Sequence, residues 1–160
     1  MTSLQKENNR KFISKSLSRY LVVQATFNES FGFDKNKIRN DFISEKDINF
    51  FIDMHSDFKK EIYDKNFFIK IFNNVFEKEV FINKLINTHL LNDWPLNRLS
   101  KVLHAILKVA VSEMILFPQT SLGIIISEYL MIAESFSIEK ENKFINAILD
   151  KIYNNLELDG

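Results

Sequence analysis

The side chains of this sequence that could do chemistry are few and poorly spaced for catalysis. There is no cysteine among the 160 residues, which removes disulfides, thiolate metal sites, iron–sulfur clusters and cysteine nucleophiles together and is compatible with a reducing cytoplasm. Of the three histidines, His55 stands between Asp53 and Asp57. On a helix, residues two apart point about 160° apart around the axis, so this is a core-edge histidine rather than a metal cluster. His89 with Asp93 four residues on has better geometry, but a histidine in the last turn of a helix, favoured there by the dipole, accounts for it. His104 has no acidic residue three or four positions away, and Ser112, Ser127, Glu113 and Glu128 have no histidine at helical spacing. Without a Gly-rich phosphate loop, a Gly-Lys-Ser/Thr, a His-Glu-x-x-His or a zinc spacing, no catalytic residue, metal or cofactor is expected, and the chain is expected not to be an enzyme.

The opening segment is different. Lys11, Lys15 and Arg19 are spaced at four, and on a helix they fall within about 80° of one another, on the side opposite the apolar stripe. Cations near a helix N-terminus oppose the macrodipole, and like charges four apart repel, each at a cost of a few tenths of a kcal/mol. Stability alone would not select that row. It reads either as a solvated lysine-rich face or as a surface for phosphates. The charge distribution leans the same way. The chain is formally neutral, with 21 basic and 21 acidic residues, but residues 1–20 hold five cations against one carboxylate, a net +4, and residues 128–160 hold three against seven, a net −4. Bulk charge therefore excludes nonspecific nucleic-acid binding, whereas a basic start suits an anionic partner held at one end.

The elements that must position these residues are helices. With three glycines and two prolines, apolar residues recurring at three and four predict an all-α fold of about seven helices. The length fits one domain over residues 1–160. The first helix is expected over Asn9 to Asn28, with a core stripe of Ile13, Leu17, Tyr20, Phe27 and Phe31. Further helices are expected over Asp47 to Lys59, Asn66 to Asn74 and Glu77 to His89, after a stretch of short helices through Lys46. Asp93-Trp94-Pro95 reads as a helix start, leading a long central helix to Phe117 that Pro118 ends. Ser121 is a candidate cap for a helix to Phe136, and Ser137 opens the last one. The N-terminus has no apolar core of a signal peptide, and the most apolar stretches, broken by Glu113 and Glu128, fall short of the ~20 residues of a membrane span. A cytoplasmic protein without a membrane partner is expected.

The order of motifs in the C-terminal half resembles the NusB family of bacterial transcription antitermination factors. Trp94-Pro95-Leu96-Asn97-Arg98-Leu99 followed by Ala105-Ile106-Leu107-Lys108-Val109-Ala110 and Glu113-Met114 is similar to the family's central helix. Ile126-Ser127-Glu128, Ala133-Glu134-Ser135-Phe136 and the run from Lys143 to Lys151 resemble its two later motifs, and Gln24-Ala25-Thr26-Phe27 resembles its "Q-A-L-Y". About 80 residues carry the likeness well, and residues 30–90 match as a helical pattern.

That resemblance implies two packed small helical bundles and a non-enzymatic role: binding boxA-type single-stranded RNA of ribosomal-operon transcripts together with NusE, a small-subunit ribosomal protein, within the antitermination complex of RNA polymerase. Carried over by position, Lys15 and Arg19 belong to a basic patch, with Arg10 and Lys11 one or two turns earlier, and Phe27 is an aromatic near the RNA. Ser16, Leu17 and Ser18 thin that patch. Ser127 and Ala147 stand in place of the usual Asn and Gly. Trp94, Leu99, Phe136, Phe144 and Ile148 read as core, whereas Arg98, Glu113, Glu128 and Lys143 divide between partner binding and structure, Arg98 and Glu128 as a tie between the bundles. Two other functions fit: an adaptor for NusE with weak RNA contact, or an RNA-binding module akin to that of ribosomal-RNA methyltransferases, which this chain, ending at Gly160, would lack the cofactor domain to complete. The free protein is expected to be a monomer or a weak homodimer.

Overall fold

A computed structural model describes residues 2–44, 63–90 and 95–159, with side chains to residue 156. The expected helix over Asp47 to Lys59, and with it His55, Asp93 and Trp94, lies outside the described residues. Those described form seven α-helices and no strand, as the spacing predicts.

The chain divides into two compact units, residues 1–72 and 73–160. The first is built on α1 (Ser3–Glu29). It starts six residues earlier than its apolar spacing suggests, because Thr2 and Gln5 form a reciprocal capping box: the Gln5 N–H donates to the Thr2 hydroxyl at 3.2 Å and the Thr2 N–H to the Gln5 side chain at 2.8 Å. From Ser16 to Val23 every residue of α1 is buried. A run longer than two turns with no exposed member is a helix covered on all sides, so the one-sided stripe is corrected: Leu17 and Tyr20 are core, but Ile13 and Phe31 are exposed. The chain then turns through Gly32, whose positive φ of 93° favours glycine. Asp34 caps α2 (Lys35–Ile43) through the Asn36 N–H, and α2 packs on α1. The unit closes with the first turns of α3 (Lys65–Glu77), where Phe68 stacks parallel on Phe42 and meets Tyr63 edge-on.

The second unit surrounds α5 (Lys101–Leu116), buried from Ala105 to Met114. Around it lie α4 (Glu79–His89), α6 (Leu122–Ser135) and α7 (Asn142–Asp159), with α7 also against α4 and α6. The start of α5 is corrected. Pro95 is extended, residues Leu96 to Arg98 make one 3-10 turn, and Ser100 is the cap, accepting from the Leu103 N–H. Ser121 caps α6 as expected. Ser137 does not open the last helix. It sits at φ 59° and ends α6, its N–H donating to the Glu134 carbonyl while the Ile138 N–H reaches the Ala133 carbonyl, the paired bonds of a Schellman cap.

Candidate nucleic-acid interface

The exposed first half of α1 displays Arg10, Lys11 and Lys15 in water. Lys11 is 3.5 Å from Glu7 one turn back, with both side chains more than half exposed. An exposed pair at this spacing is worth about 0.3–0.5 kcal/mol, which a phosphate can displace. Lys15 and Arg19 share one neighbour. The Lys15 Nζ lies 5.5 Å and the Arg19 guanidinium carbon 5.2 Å from the centre of the Phe67 ring, within range for attraction to the negative face of the ring.

Phe67 is there because of a hydroxyl. The Asp64 N–H donates to the Ser18 Oγ at 2.7 Å, and Ser18 in turn is within hydrogen-bond reach of the Ser14 and Asp64 carbonyls. Asp64 then accepts from the Phe67 N–H at 3.0 Å and so caps the first turn of α3. Ser18, which sequence reasoning treats as a gap in the basic patch, is thus the buried pin that brings an aromatic ring under two cations. Asp64 and Phe67 were missed altogether. The Asp-x-x-Phe spacing at a helix start announces the cap, but nothing local ties it to a serine 46 residues away.

The expected row of water-facing cations is corrected at its last member: Arg19 is 4% exposed, because α1 is covered on all sides at this level. It is held by contacts beyond the ring as well. Lys11 and Lys15 can touch a phosphate directly, whereas Arg19 fixes Phe67 and adds its charge from behind. Phe27 is half-buried and forms a T-shaped pair with Phe31 at 5.0 Å between ring centres.

The other four candidates separate cleanly. Glu113 and Glu128 are buried, and the Tyr129 hydroxyl donates to Glu113 Oε1 at 2.7 Å. Nearby on α5, the Asn74 amide donates to Ser112 Oγ at 2.9 Å. Arg98 and Lys143 are exposed, and Arg98 forms no ion pair with Glu128 among the described contacts. Ser127 and Ala147 are both exposed, so neither occupies a close helix contact. Leu99 and Ile148 are core and Phe136 and Phe144 half-buried. His89, in the last turn of α4, has Nδ1 2.8 Å from the Leu85 carbonyl, which makes it the donor there, and Nε2 against the Asn155 amide. His104 Nε2 lies 2.8 Å from Asn83 Oδ1. Burial, and then the nearby Lys108 ammonium, push the His104 pKa down to about 4, so at neutral pH its ring N–H donates. Among the described residues no three His, Asp or Glu side chains stand close enough to share a metal, and no helix is long and apolar enough to cross a membrane.

The NusB family model matches residues 16–154. The transcription antitermination protein NusB of Mesorhizobium japonicum is 36% identical over 97 residues, a match covering 61% of this chain and 63% of that relative. The solved NusB of T. maritima superposes with a TM-score of 0.64 at 28% identity, covering 87% of this chain and 89% of that one. A chain in the crystal structure of antitermination factors NusB and NusE with double-stranded RNA has a TM-score of 0.67 at 17% identity, over 88% and 96% of the two chains, a likeness of fold.

Proposed function

The chain belongs to the NusB family, and from that premise we propose that it is a cytoplasmic, non-enzymatic transcription antitermination factor. Its partners are boxA-type single-stranded RNA of ribosomal-operon transcripts, NusE and, through them, the antitermination complex of RNA polymerase. Both compact units act as one RNA-binding domain. The observation that carries the reading is the placement of Lys15 and Arg19 over Phe67 at the end of a basic helix face. The ring holds the exposed Lys15 ammonium in place without neutralising it, so a phosphate strand meets a charge already positioned, with Arg19 fixing the ring from behind. Arg10 and Lys11 extend the contact toward the helix N-terminus, whose backbone N–H groups also favour anions. Phe27 supplies an aromatic ring further along the strand. Arg98 and Lys143, exposed on the second unit, are the remaining candidates for partner contact, while Glu113 and Glu128 act by holding the second unit together.

Anisotropy of a labelled boxA-like RNA at rising salt, with and without NusE, tests this. Binding should weaken linearly in log–log form with a slope near 0.7 per neutralised phosphate on a single strand. Binding that ignores salt under both conditions would refute it. The burial of Arg19 and the Glu7–Lys11 pair favour one second reading, an adaptor that holds NusE with only weak RNA contact. Under that reading Lys11→Glu/Lys15→Glu leaves NusE binding and antitermination unchanged.

A further inference from the structure

At the corner between α1 and α2 the first unit contains a cavity of about 400 Å³, within the range of small-ligand sites. We propose that it is a site for a single guanine nucleotide, filled in the complex by one unstacked guanine of the bound RNA, an inference that rests on the RNA-binding reading for its natural ligand.

The walls supply stacking. Ile38 and Phe42 form an apolar side of the cavity. Phe42 is fixed there by its parallel stack on Phe68 at 5.8 Å and by the Tyr63 hydroxyl, which donates to its carbonyl. Phe33, just past the Gly32 turn, lines the cavity while 64% exposed. A large ring left in water beside an apolar hollow can serve as one side of a base sandwich.

The polar groups select among bases. Asn28 lines the cavity, and its Oδ1 already accepts from the Gln24 amide at 2.9 Å, so its own NH2 remains to donate. Asp34 spends one oxygen on the Asn36 N–H and keeps the other. Lys37 and Asp41, four apart on α2, make no ion pair among the described contacts. The cavity therefore offers an amide donor, carboxylate acceptors from two residues and a cation. On its pairing edge guanine presents one carbonyl beside two donor nitrogens. Cytosine and adenine each present one donor group, and uracil presents a single donor between two carbonyls. Guanine alone matches one donor with two acceptors, and Lys37 can take its phosphate.

The test is a heteronuclear NMR titration of the full chain with each of the four nucleoside 5′-monophosphates, followed by binding of short RNA strands with and without guanine. Guanosine monophosphate should shift the Asn28, Phe33 and Asp41 signals, with affinity about tenfold above the other three, the discrimination of one good bidentate contact. Phe33→Ala and Asp41→Asn change exposed residues that cap nothing, and both should abolish that preference. They should also remove the advantage of the guanine-containing strand while leaving the salt slope intact. Equal response to all four nucleotides, or no response at these signals, overturns the guanine site. Equal affinity for strands with and without guanine overturns the RNA base as its occupant. If no RNA binds at all while guanosine monophosphate still shifts Phe33, the function reading fails and the guanine site stands.

Discussion

Two helices of this protein carry charged side chains among apolar ones, and they use them in opposite ways. In α1 the charged side chains up to Lys15 stay in water, and Arg19 is drawn against a ring. In α5 Glu113 and Lys108 are buried outright, and Glu113 is met by a tyrosine hydroxyl. A charge in water costs almost nothing to keep and little to lose, so it is free to serve a ligand. A buried one fixes the packing around it, and its partners become costly to remove. Substitutions along α1 should therefore alter binding with the fold intact, and substitutions along α5 the reverse.

The sharpest break of that contrast is Tyr129→Phe, which leaves the buried Glu113 short of a donor. It should cost about 1–3 kcal/mol, a melting point lower by several degrees in calorimetry, with RNA affinity of the folded fraction unchanged. On the other side, Lys11→Glu/Lys15→Glu should weaken boxA-like RNA by at least about tenfold, roughly 1.4 kcal/mol, and lower the salt slope by about 1.4 for two lost phosphate contacts. Its melting point should fall only slightly, because the lost Glu7–Lys11 pair and the like charges left four apart are exposed and cost a few tenths of a kcal/mol each. Ser18→Ala tests the link between the two behaviours. Losing the pin on Asp64 should cost about 1 kcal/mol and also weaken RNA binding, since Phe67 is no longer held under Lys15. Ser137→Gly should raise stability by about 0.5–1 kcal/mol by relieving the left-handed backbone at the end of α6, with binding unaffected.

A pH dependence is expected in α5 as well. His104 titrates near 4 when folded and near 6.5 when unfolded, so between those values the unfolded chain takes up the proton and stability falls as the pH is lowered. Above about 6.5 this contribution is flat. In His104→Gln that component of the melting-point slope between pH 6.5 and 4 should vanish, while RNA binding at neutral pH stays the same.

Much of the fold could be read from local signals. Recurrence at three and four gave the all-α class, and Ser121 and Pro118 marked their boundaries because caps and breakers act within one turn. Where two local signals compete, spacing alone does not pick the one the fold uses. Asp93-Trp94-Pro95 is a plausible helix start, yet Ser100 begins α5, and Thr2 begins α1 well before its apolar residues do. The site was legible by halves. The cations of α1 are visible in the sequence, but their exposure is not: spacing places Arg19 in line with Lys11 and Lys15, and only the covering of α1 from Ser16 onward removes it from water.

The residue types and their periods determined on their own that this chain is helical, that it has no thiol chemistry, and that its positive charge gathers at the front of one helix. These depend on interactions spanning a turn or two. Tertiary structure alone decided which charges remain in solvent, that Ser18 pins Asp64 and sets Phe67 beneath two cations, and that Glu113 finds Tyr129. Burial and long-range pairing depend on what the rest of the chain brings to a given spot, and that is fixed by the packing of whole helices rather than by the neighbours in sequence.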